Sequence, residues 1–172
     1  MMWRGVKRHP EKGVTMIELA VVMAIIGIMA LFMAPGIGEW ATRFRVRGAA
    51  KDLADAMQLA RLKAISDVVE YKVQLDLDNR QFSVLKGNAR QASTSWPSQE
   101  GTTITLPNGV TITVDGTSTG IIDRIFRPDG TALGTGGFGG VGGNSTSMIT
   151  LNNPSNDQFQ IVVSRTGAVR IN

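Results

Sequence analysis

The alternation of apolar and polar positions divides the 172-residue chain into three stretches. From Leu19 to Gly38 run 20 residues without an ionisable group, about the length at which an α-helix crosses the hydrocarbon of a bilayer. Beyond it, Trp40, Phe44, Leu53, Met57, Ala60 and Ala64 recur at helical spacing, with Arg43, Arg47, Lys51, Asp55, Arg61 and Lys63 on other faces. The pattern predicts one long helix from about Thr15 to Ser66. Its first half is apolar all round, and its second half is amphipathic, packing one stripe on a domain. Pro35 removes a backbone hydrogen bond late in the apolar run, and Gly36 beside it adds to a point of helix flexibility.

From Val68 the period changes to two. Tyr71 to Leu77 alternates, Asp78-Asn79-Arg80 turns, and Gln81 to Leu85 returns, which predicts a hairpin. A second hairpin is expected from Thr103–Leu106 and Val110–Val114 about Pro107-Asn108-Gly109, because Asn-Gly supplies the positive φ angles of tight turns. Further strands are expected at Ile121–Arg127, Met148–Asn152, Phe159–Ser164 and Ala168–Ile171. Residues 87–101 and the glycine-rich stretch from Gly134 to Gly143 read as loops. The latter has neither the strand-to-helix setting nor the Lys-Ser/Thr pair of a phosphate-binding loop.

Composition narrows the chemistry. The length allows one domain with a core and one appended segment. There is no cysteine, and the only histidine is His9. The net charge is +4, but Arg4, Lys7, Arg8 and Lys12 against Glu11 place +3 of it before Val14, leaving +1 beyond. A basic face suited to nucleic acid is therefore not implied by bulk charge. Basic residues ahead of an apolar segment place the N-terminus on the cytoplasmic side and export the rest.

The junction Lys12-Gly13-Val14-Thr15-Met16-Ile17-Glu18 opens the apolar run. Glu18 is its sharpest residue, because a carboxylate inside an apolar membrane helix is costly and needs a partner. Alternatively it reaches the headgroups near the helix end. A secretory signal cleaved after Gly36-Ile37-Gly38, ahead of Glu39, competes with this picture. That reading accounts for the basic leader, but neither for Glu18 nor for Gly13 in front of it.

The stretch from Gly13 to Ile28 resembles the prepilin signal of type IV pilins and type II secretion pseudopilins, with Val14 standing where phenylalanine or methionine is commoner. The resemblance implies cleavage by prepilin peptidase between Gly13 and Val14, methylation of the new N-terminus, and pairing of Glu18 with the N-terminal amine of a neighbouring subunit. Leu53 to Ile65 resembles the Leu-x-x-Ala-Arg-x-x-Ala-Ile segment of the GspH/FimT family of minor pseudopilins and minor pilins. Phe126-Arg127-Pro128-Asp129-Gly130-Thr131 and the ending from Ile161 to Arg170 resemble that family too. The implied fold class is α+β, a pilin fold with one long N-terminal helix and a C-terminal antiparallel β-sheet head. Its parts are a cleaved leader over 1–13, a transmembrane and assembly half-helix over 14–38, an amphipathic half over 39–67 and a β-rich head over 68–172.

Such a chain assembles rather than catalyses. The implied function is that of a minor structural subunit near the tip of a type II secretion pseudopilus. A minor pilin of a type IV pilus, serving adhesion, motility or DNA uptake, is the alternative, and a signal-anchored exported enzyme the third reading. The implied partners are prepilin peptidase, other major and minor pilin or pseudopilin subunits, the inner-membrane assembly platform and secreted substrate proteins. The implied location is the bacterial inner membrane, with the N-terminus cytoplasmic and the head periplasmic, and then the filament. The mature chain lacks His and Cys, which removes histidine triads, thiol nucleophiles and zinc sites, and no cofactor or metal is expected. Asp76, Asp78 and Asn79 read as a turn before a cation site. DNA-receptor members carry a C-terminal Gly-Arg-x-Arg, whereas this chain has Gly167-Ala168-Val169-Arg170. Arg165 and Arg170 remain as candidate nucleic-acid contacts, but nucleic acid is not an expected partner. Arg43, Arg45 and Arg47 either pair with acidic groups on neighbours or lipids, or form a solvated face.

Overall fold

The computed structural model of the chain describes residues 13–33, 37–134, 146–155 and 157–172. The chain divides into two compact units, one up to Gly38 and one from Glu39 onward.

In the first unit, helix α1 spans Met16–Met33. Thr15 caps it, its Oγ1 accepting the Glu18 N–H at 3.3 Å while its carbonyl accepts the Leu19 N–H at 3.1 Å. Threonine before the first turn with glutamate three residues on is the sequence signature of a capped helix start. Its side chains from Met16 to Ala30 are exposed. Among the described residues no helix is long and apolar enough to cross a membrane. The 18 residues of α1 reach about 27 Å at 1.5 Å per residue, against roughly 30 Å of bilayer hydrocarbon. The expected run to Gly38 passes through residues 34–36. Pro35 and Gly36, and with them the expected flexible point, lie outside the described residues.

The second unit opens on helix α2, Ile37–Asp67, so the single helix expected from Thr15 to Ser66 is described as two. Strands β1 (Tyr71–Asp76), β2 (Gln81–Lys86), β3 (Ser98–Thr105), β4 (Thr111–Val114), β5 (Ile121–Phe126), β6 (Ala132–Gly134), β7 (Thr146–Asn152), β8 (Gln158–Ser164) and β9 (Val169–Ile171) follow. They form two antiparallel sheets, ordered β3-β2-β1-β5-β6 and β4-β7-β8-β9. Period-two alternation sends Tyr71, Val73 and Leu75, Phe82 and Val84, Ile149 and Leu151, and Ile161 and Val163 inward. With Val46, Ala49, Ala50, Leu53, Ala54, Met57, Ala60 and Ala64 of α2 they form one apolar core.

The first hairpin is as expected, with Tyr71 opposite Lys86 and Asp76 opposite Gln81. The second is not a hairpin. β3 joins β2 in one sheet, and β4 joins β7 in the other. The reason lies in the turn: the Val110 N–H bonds the Pro107 carbonyl at 3.1 Å, and only Gly109, at φ 86, has positive φ there. That is the pattern of a type II turn, which splays its flanking strands, whereas a type I′ turn needs positive φ at both central residues. The tight turn with both positive is Asp115-Gly116, at φ 50 and 85, between Val114 and Thr117. β3 begins at Ser98, inside the expected loop, and reaches β2 through a register shift between Phe82 and Val84. β6 was not expected; Gly134 ends it, and the rest of the glycine-rich stretch lies outside the described residues.

One further expectation is corrected. Trp40 and Phe44 are exposed, 64% and 58%, with ring centroids 4.8 Å apart, because the buried stripe of α2 runs through Val46, Ala49 and Ala50 instead. Arg124 is 1% exposed in the centre of β5. Its guanidinium bonds Ser147 Oγ through Nε at 3.0 Å and Asp115 Oδ2 through Nη2 at 2.7 Å. Ser147 Oγ also donates to Asp115 at 2.7 Å, and the Met148 N–H donates to Asp115 Oδ1 at 2.7 Å. The network joins the two sheets. Burial holds the Arg124 pKa below its ordinary value, with Asp115 opposing that shift.

Candidate functional site

The expected processing and assembly residues sit together at the start of α1. Gly13, Val14 and Glu18 are all exposed, and Val14, at 73%, leads directly into the Thr15 cap. The Glu18 N–H is used by that cap, while its carboxylate has no partner among the described residues. It is the only ionisable side chain of α1. A carboxylate in the first turn is favoured by the helix dipole, so Glu18 stabilises the helix start and still keeps both oxygens available.

The other resembling segments converge on one side chain. Arg61, expected on a solvent face, is half-buried. Its Nε donates to the Gly130 carbonyl and its Nη2 to the Thr166 carbonyl, both at 3.1 Å. Thus the helix segment around Ala60, the Pro128-Asp129-Gly130 turn and the Arg165-Thr166-Gly167 turn are tied by one guanidinium, whose planar fork suits two separate acceptors. The Ala132 N–H bonds the Arg165 carbonyl at 2.9 Å, adding a link between the sheets. Gly167 has φ +75, and a Cβ there would meet the Gly130 carbonyl oxygen and stand 2.8 Å from Arg61 Nε. Only glycine fits such a position.

Arg43 pairs within its own unit: its Nε and Nη2 donate to Asp157 Oδ1 at 3.1 and 2.7 Å. The hydrogen bond from Arg43, then one from Asn153, keeps the Asp157 carboxyl below the usual range. Arg45 and Arg47 are exposed. Arg165 and Arg170 are exposed at opposite ends of the β8–β9 turn, with no ion-pair partner among the described residues. Arg170 and Arg61 line a hollow of about 270 Å³ with Gly167. Asp76 accepts from the Asn79 N–H at 2.9 Å and from Asn79 Nδ2 at 2.7 Å, and Asp78 accepts from the Gly120 N–H at 3.1 Å. These carboxylates build the turn. Among the described residues no cluster of three or more metal-ligating side chains occurs.

Glu70 is a buried residue that charge patterning passes over. At 2% exposure it accepts the Ala92 and Ser93 N–H groups at 3.1 and 2.8 Å and Arg127 Nε at 3.3 Å, pinning the long loop after β2. Tyr71 donates to Asp67 at 2.6 Å, and Lys86 pairs with the same carboxylate at 2.7 Å. Burial, then the Asp67 hydrogen bond, pushes the Tyr71 hydroxyl up to about 12.

The prokaryotic N-terminal methylation motif matches residues 8–34. No curated protein sequence matches the chain. In fold it is similar to the minor pseudopilin EpsH of the Vibrio cholerae type 2 secretion system, with 14% identity, 74% of this chain and 96% of that chain covered, and TM-score 0.54. It is similar also to the type IV minor pilin FimU of Pseudomonas aeruginosa strain PAO1, with 14% identity, 77% and 92% covered, and TM-score 0.53. The helix followed by an antiparallel β head is the pilin fold, as the junction and the helix segment implied.

Proposed function

We propose that this type IV pilin-like chain is a minor structural subunit of a type II secretion pseudopilus and does its work by assembly, not by catalysis. Prepilin peptidase cuts between Gly13 and Val14, and Val14 becomes the methylated N-terminus. The apolar run from Leu19 to Gly38 anchors the subunit in the inner membrane with the head in the periplasm. It then passes into the filament core, where Glu18 takes the N-terminal amine of a neighbouring major or minor subunit. The assembly platform drives that transfer, and the exposed head meets secreted substrate proteins.

The observation carrying this reading is Glu18: one available carboxylate on an exposed apolar helix, inside the matched methylation motif. In low-dielectric surroundings such a group demands an opposite charge, and a free amine four residues upstream on a second copy supplies one. The absence of cysteine supports the pseudopilus side, since minor pilins exposed outside the cell often carry a disulfide. The likeness to FimU supports the type IV pilus alternative. N-terminal sequencing of the mature protein tests the proposal. Methylated Val14 is the expected residue, whereas Glu39 would mean a secreted soluble protein and Met1 an unprocessed anchor.

A further inference from the structure

The first turns of α2 and the end of the four-stranded sheet enclose a groove of about 710 Å³ lined by Trp40, Phe44, Arg47, Lys51, Phe159 and Ile171. Trp40, Phe44 and Ile171 are 64%, 58% and 46% exposed, an apolar surface left open at one place on a unit that has its own core. From Trp40 to Lys51 the chain carries Arg43, Arg45, Arg47 and Lys51 and no acidic residue. Arg43 is bound to Asp157 and so fixes one wall. Among the described residues that line the groove, Asp55 alone has an acidic side chain.

In sequence the groove's first residue, Trp40, comes two positions after the apolar run ends at Gly38. These cations also oppose export, since Lys and Arg close to an apolar segment favour the cytoplasmic side. They equal in number the four Lys and Arg residues of the leader. A flank that carries this handicap beside an aromatic pair has the composition of an interfacial anchor: rings at headgroup depth, cations on phosphates.

We propose that this groove seats the headgroups of anionic phospholipids, holding the neck of the head on the outer surface of the inner membrane until the subunit is extracted. Trp40 and Phe44 sit at headgroup depth, and Arg47 and Lys51 take the phosphates. The proposal rests on the membrane anchoring of α1 given above.

The test uses the full chain with Trp3→Phe and Trp96→Phe, leaving Trp40 as the sole tryptophan, in nanodiscs of phosphatidylcholine alone or with one third phosphatidylglycerol. Lipids brominated just below the headgroup quench it. Anionic discs should blue-shift Trp40 and raise quenching roughly twofold, and Arg47→Gln with Lys51→Gln should abolish that difference, as should high salt. A chain retained in both discs whose Trp40 signal ignores lipid charge overturns the proposal and leaves anchoring intact, as does a double variant with an undiminished response. A response to a poly-glutamate peptide but not to anionic lipid also overturns it, assigning the groove to an acidic protein segment. A chain retained in neither disc overturns the anchoring reading itself, and this proposal with it.

Discussion

Replacing Arg61 by methionine keeps an aliphatic stem on α2 and removes the hydrogen bonds to the Gly130 and Thr166 carbonyls, both 3.1 Å long. The two acceptors are not equivalent. The Gly130 bond is part-buried, whereas the Thr166 bond is exposed, so water replaces the second partner but not fully the first. A hydrogen bond from a charged donor contributes about 1.5–3 kcal/mol, and an exposed one recovers most of that from water, which sets the loss at about 2–4 kcal/mol. Urea unfolding of residues 39–172, followed by far-ultraviolet circular dichroism, reads it. With a denaturant slope of about 2 kcal/mol/M the midpoint should fall by roughly 1–2 M. Arg61→Lys should lie between, since an ammonium does not reproduce the planar fork. Gly167→Ala should be severe alone but less than additive with Arg61→Met, because part of its clash is with Arg61 Nε. An Arg61→Met head within about 0.5 kcal/mol of the parent, at unchanged slope, would refute the claim that this guanidinium ties the two turns to the helix.

Arg124→Met strands the Asp115 carboxylate between the sheets and should cost about 3–5 kcal/mol in the same assay, with part of it restored by adding Asp115→Asn. A loss under about 1 kcal/mol would count against the network as the link between sheets. Tyr71 is the only tyrosine, so ultraviolet absorbance reports it alone: it should ionise at about 12 rather than the ordinary 10.0. Asp67→Asn should lower that value. Because the unfolded chain releases this proton first, stability should decline as pH rises from about 10 to about 12, and a flat midpoint across that window contradicts the assignment. Glu18→Leu should leave insertion and cleavage unchanged yet exclude the subunit from sheared filaments on immunoblots, and normal incorporation removes Glu18 from assembly.

What could be read from sequence was what is local. The helix start near Thr15 and the β1–β2 hairpin each depend on residues a few positions apart, and each lies where the pattern put it. The failures share a different cause. Asn108-Gly109 and Asp115-Gly116 look alike as dipeptides. The pairing of β4 with the distant β7, and the φ angles that go with it, separate a turn that splays strands from one that folds them back. The buried stripe of α2 is rich in alanine, a weak hydrophobic signal, so Trp40 and Phe44 outweighed Val46, Ala49 and Ala50 in the periodicity. Arg61 read as lying off the packed stripe because its acceptors come from segments far along the chain, and partners equally remote from local patterning hide the roles of Arg124 and Glu70.

The ties on α2 have a consequence for the order in which the head can fold. Arg43 is held by Asp157 and Arg61 in part by Thr166, and these two anchors flank β8, near the end of the chain to be synthesised last. Contacts of such sequence separation form late and make folding slow. A head folding from its N-terminal end therefore has α2 present before Asp157 and the turn after β8 arrive to hold it. The C-terminal residues are thus the closing step of the head, and a chain truncated before Asp157 would take that carboxylate from Arg43 and leave Arg61 only the Gly130 carbonyl of its two acceptors.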